Sequence, residues 1–83
     1  MVPFDKKLFI KRMNARRKQL QMPYRVLVEK TGISMAALNG YVLGRTLPNI
    51  EYAYSIAAAL GVTMDWLCGY DRMKEEFKNE RRG

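Results

Sequence analysis

The sequence contains no histidine, one cysteine and only three prolines in 83 residues. Lacking histidine, it has neither the commonest general base nor the commonest metal ligand. A lone thiol, Cys68, excludes an internal disulfide, and its neighbours Trp66 and Leu67 mark it as a small core residue rather than an activated nucleophile. No apolar run approaches the ~20 residues of a membrane span. No alternating run marks a strand, no Gly-rich loop could cradle a phosphate, and no nucleophile stands beside a base. These absences argue against an enzyme, a cofactor and a metal site. The start Phe4-Asp5-Lys6-Lys7 is too polar for the apolar core of a leader peptide, so a reducing cytoplasm is the expected location.

What is present is positive charge. Lys and Arg number 15 against 8 acids, a formal net charge of +7 that makes nucleic acid the leading partner, ahead of an anionic membrane surface. Residues 1–20 hold Lys6, Lys7, Lys11, Arg12, Arg16, Arg17 and Lys18 against Asp5 alone, whereas residues 48–71 hold Glu51, Asp65 and Asp71 and no base. The chain is thus electrostatically two-ended. The last segment alternates signs and reads as a solvated helix or tail. A hydrophobic content of 48% suffices for one small core but not for a deep cavity, so no small-molecule ligand is expected.

Helix signals run along the whole chain. Asp5 can cap a first helix to about Leu20, with Phe9, Met13 and Leu20 on one arc and Ile10 at its edge. Arg16 and Arg17 fall on or beside that arc and must snorkel or find an acidic or phosphate partner. Pro23 suits the first turn of a second helix, which Leu27, Val28 and Thr31 pack and Gly32 ends. Ser34 caps a third helix at once, with Ile33 and Leu38 spaced as a hydrophobic staple. Two short helices joined so tightly must cross steeply, which is the helix-turn-helix arrangement. Gly44 stops the third helix. Pro48 and Asn49 open a fourth, with a stripe of Ile50, Ala53, Tyr54, Ala57 and Leu60 ended by Gly61. Thr63 caps a fifth, with Val62 and Leu67 as its staple. Tyr70, Met73 and Phe77 then repeat at helical spacing, a last helix read as docked on the domain in preference to the alternative, a dimer interface.

Leu27-Val28-Glu29-Lys30-Thr31-Gly32-Ile33-Ser34, then Leu38, Tyr41, Gly44-Arg45, Pro48 and the run Ile56 to Leu67 resemble the Cro/phage-repressor (Xre-type) helix-turn-helix family over roughly residues 8 to 68. The resemblance implies an all-α fold: a compact five-helix, lambda-repressor-like domain over residues 1–70, with an additional C-terminal helix or tail over 71–83. It also implies a repressor that binds double-stranded operator DNA, usually as a homodimer, with the third helix in the major groove.

On that pattern Ile33, Leu38 and much of Tyr41 turn inward, while Met35, Ala36, Ala37, Asn39, Gly40 and Leu43 face the groove. Only Asn39 among them can pair bidentately with adenine. The small residues suit close backbone approach, and Gly40, costly inside a helix by ~1 kcal/mol against Ala, is explained by such an approach. Arg45 and Thr46 after the helix, Arg25, Ser34 and the helix N-terminal amides, and Arg17 and Lys18 at the end of the first helix, are the expected phosphate contacts. The family often has Gln where Tyr24 and Met35 stand, and Glu where Val42 stands. Arg17 therefore lacks its internal acid and turns to Glu29 or to a phosphate. The alternative is a helix-turn-helix scaffold that binds a protein, for instance another repressor, through Met35, Leu43 and Val26.

Overall fold

Side-chain chemistry at the helix starts sets the element boundaries. A computed structural model describes residues 3–72, with α1 at Lys6–Gln19, α2 at Tyr24–Thr31, α3 at Met35–Val42, α4 at Ile50–Leu60 and α5 at Met64–Cys68. Asp5 accepts from the Leu8 amide at 3.0 Å, Ser34 from Ala37 at 3.1 Å, Asn49 from Tyr52 at 2.8 Å and Thr63 from Trp66 at 3.1 Å. Each cap satisfies an amide that the helix itself cannot, at ~1 kcal/mol apiece. Pro23 stands one position earlier than its expected place in the first turn: it is the cap residue of α2 and offers no side-chain acceptor. Gly32 and Gly61 close α2 and α4 at φ 75° and 67°, where a Cβ would be strained.

The core gathers Phe9 and Met13 from α1, Leu27 from α2, Ile33, Leu38 and Tyr41 around α3, Ile56, Ala57 and Leu60 from α4, and Leu67 from α5. α4 packs against α1, α2 and α5, and α2 against α3. Both members of the Ile33–Leu38 staple are buried, which fixes how the chain enters α3. Among the described residues there is no strand, and no helix is long and apolar enough to cross a membrane.

Two core assignments need correction. Leu20 is 40% exposed: it is the residue that closes α1, beyond the last turn facing the core, and Met22 in the following turn is buried instead. Ile50 and Tyr54 are 78% and 66% exposed, and the inward stripe of α4 is Ala53, Ile56, Ala57 and Leu60. Periodicity had placed the stripe one flank away from the side on which α1, α2 and α5 pack. Residues 70–72 are helical with Tyr70 exposed, while Met73 and Phe77 lie outside the described residues.

Arg12 ties this end of the chain to α1. Its guanidinium donates to the Trp66 carbonyl at 2.5 Å and to both carboxylate oxygens of Asp71 at 2.6 and 3.1 Å, and lies 5.1 Å from the Trp66 ring centroid.

Candidate nucleic-acid interface

The turn between α2 and α3 is held from within. Thr31 Oγ1 donates to the Leu27 carbonyl at 2.7 Å and accepts from the Ile33 amide at 3.2 Å, while the Gly32 amide donates to Val28 O at 2.8 Å. α3 is therefore presented at a fixed angle, with Ile33, Leu38 and Tyr41 inward. Burial pushes the Tyr41 phenol up, with Tyr52 adding a smaller push. On the outward side, Met35, Ala36, Asn39 and Leu43 are exposed, Leu43 at 63%. Ala37 and Gly40 do not share that exposure. Both are half-buried, and Ala37 packs against the core. Of the exposed set only Asn39 carries both a donor and an acceptor.

Gly40 has a neighbour that the sequence did not reveal. Its carbonyl accepts from the Arg45 amide at 2.9 Å and the Thr46 amide at 3.4 Å, so the loop folds back over the last turn of α3. A Cβ at position 40 would meet Thr46 Oγ1 at 2.8 Å, closer than such atoms sit. The close approach that calls for glycine is thus to the protein's own loop. The same fold-back fixes the backbone of Arg45, whose side chain is exposed and forms no ion pair among the described residues. Lys6 Nζ supports the loop by donating to the Gly44 carbonyl at 2.9 Å.

At the other end of the interface, Arg17 meets neither Glu29 nor any other acid among the described residues. Its guanidinium donates to the Met22 carbonyl at 3.1 Å and to Asn14 Oδ1 at 3.4 Å, and sits 4.0 Å from the Tyr24 ring centroid. Tyr24 OH donates to the same Asn14 oxygen. Every partner is neutral, so the positive charge of Arg17 is positioned without being cancelled. Asn14 was missed by the sequence reading; its spacing of three from Arg17 on one helix was the available signal. Glu29 pairs instead with Arg25 at 3.6 Å across one helical turn, an exposed contact of little strength.

Lys18 is exposed, and the Ser34 hydroxyl, though at the surface, is occupied in capping α3. Arg16 snorkels, donating from Nε to the Leu60 carbonyl at 2.7 Å. Cys68 is half-buried, and burial followed by the charge of Asp65 pushes its thiol up, away from the thiolate a nucleophile needs.

The helix-turn-helix family model HTH_3 matches residues 13–67, more than half of the chain, from the middle of α1 to the last buried residue of α5. A search of the curated proteins returns no match.

Proposed function

Because the chain belongs to the Cro/C1-type (Xre-like) helix-turn-helix family of DNA-binding regulators, we propose that it is a cytoplasmic repressor that binds double-stranded operator DNA as a homodimer and acts by occupying a promoter. The observation that carries this reading is the surface of α3: a face of small or apolar side chains around Asn39, with exposed Arg45 at one end and Arg25 on the preceding helix.

In this reading Ala36 lets the helix backbone approach the bases, Met35 packs on a thymine methyl, and Asn39 supplies the one bidentate base contact. Arg45, Thr46, Arg25, Lys18 and the Arg17–Tyr24 pair grip phosphates on either side, which positions the helix without reading sequence. With so few polar groups on α3, discrimination rests mainly on groove shape and on how readily the duplex takes the fitted form.

Selection from random duplex DNA with the purified chain at near-physiological salt tests the proposal. An enriched two-fold motif is expected. Binding that enriches nothing and vanishes as salt rises would overturn it, and would bring forward a protein partner on exposed Met35 and Leu43.

A further inference from the structure

α4 is apolar on more sides than the other described residues cover. Its only non-hydrophobic residues are Glu51 and Ser55. Ala53, Ile56, Ala57 and Leu60 fill the core, yet Ile50 is 78% exposed and Tyr54, one turn further on, 66%. These two frame a shallow depression completed by Glu51 and Ser55. A helix with apolar residues on both its inner and outer sides is ordinarily buried on both.

We infer that the Ile50–Tyr54 flank of α4 is the surface on which a second copy of this chain docks, about a two-fold axis near Ile50. The inference takes the homodimer from the DNA-binding reading and assigns its surface. Charge selects the occupant. Each copy carries +7, so two copies repel across most of their surfaces. Residues 48–71 contain no Lys or Arg, and the exposed flank lies within that stretch. It is where another copy meets least repulsion, and where a polyanion or an acidic partner finds no Lys or Arg side chain from the stretch itself.

A two-fold contact uses the same patch twice. In such a contact Ile50 packs on its counterpart at the axis. Two large side chains make a small patch beside the ~800 Å² per partner of a standard interface, so the dimer is a weak one.

Sedimentation equilibrium of the full chain over a concentration series, in enough salt to screen the net charge, tests this directly. The informative variant is Ile50→Asp. Position 50 is the first residue of α4, where an acid favours the helix, so the variant stays folded, as circular dichroism would verify. It should weaken dimerisation at least about tenfold, as loss of a central apolar anchor does. Leu20→Asp, at an exposed apolar site at the end of α1, should leave it unchanged. In a Cys68→Ser background, Ile50→Cys should form a disulfide-linked dimer on oxidation.

A wild-type chain that stays monomeric throughout, or equal loss from both Asp variants, overturns the inference. The DNA-binding reading fails separately. A dimer that enriches no duplex sequence sinks that reading and keeps the interface, whereas a chain that selects a two-fold motif and dimerises as well with Ile50→Asp as without it sinks the interface and keeps the reading.

Discussion

α3 and α4 are neighbours in the chain, and both turn apolar side chains to solvent, but they differ in the charge around them. Met35 and Leu43 stand in a helix-turn-helix that also exposes Arg25 and Arg45, while Ile50 and Tyr54 lie in a stretch with no cation. A polyanion gains counterion release from cations such as those beside α3 and none from a stretch without them. On the two proposals above, similar exposed hydrophobes take different partners because their electrostatic settings differ. The assignment can be broken at either helix.

The largest effect should come from the two sides of α4. Ile56 is fully buried, and Ile56→Ala should cost about 2–5 kcal/mol in urea unfolding, a transfer term plus a cavity. Ile50→Ala, measured at concentrations where the chain is monomeric, should fall within about 0.5 kcal/mol of wild type. Comparable losses at both sites would mean that Ile50 is packed after all, and the contrast between the two faces of α4 would collapse.

Gly40→Ala comes next. The added methyl meets Thr46 Oγ1, so Thr46 must turn or carry the loop and Arg45 with it, at about 1–3 kcal/mol offset in part by the ~1 kcal/mol that Ala gains over Gly in a helix. Stability and DNA affinity should fall together. Thr46→Ala in the same chain removes the clashing hydroxyl and should restore much of the stability. Failure of this rescue would show that the contact with the Thr46 hydroxyl is not what requires glycine at position 40.

These two sites also show what the sequence could and could not convey. Helix starts were legible because a cap is a contact over three residues: Asp5, Ser34, Asn49 and Thr63 all bond where their spacing says they should. The inward turn of Ile33 and Leu38 was legible for the same local reason. Leu20, Ile50 and Tyr54 were misassigned because a helical repeat gives the angles between residues and not the direction from which other helices arrive. The neighbour of Gly40 required knowing that residues 45 and 46 fold back on α3. The partners of Arg17 required the carbonyl of Met22 and the ring of Tyr24, neither of which is an acid that charge pairing would have suggested.

Within the α3 face, Asn39 and Arg45 should separate reading from gripping. Asn39→Ala is expected to relax preference at one base pair by about 1–3 kcal/mol with little change in nonspecific affinity. Arg45→Ala should weaken all duplexes alike and reduce the slope of log K against log salt by about one unit, the signature of one lost phosphate contact. An unchanged slope would remove Arg45 from the set of contacts.

The smallest effect concerns the charge of the cation-free stretch itself. Hydrogen bonds from Arg12 hold the Asp71 carboxyl below its ordinary value of 3.8, against a weaker opposing effect of desolvation. A carboxyl with a folded value below its unfolded one adds stability that is complete above the unfolded value and is lost as pH falls through the folded one. The contribution should therefore begin to fade as pH falls below an unfolded Asp value of about 3.9, and the ion pair itself is released only below the lowered folded value. Asp71→Asn should lower stability slightly at neutral pH and match wild type once the carboxyl is protonated; a difference that persists in acid would assign Asp71 a role other than charge. Asp71 is exposed enough that solvent screens most of the gain.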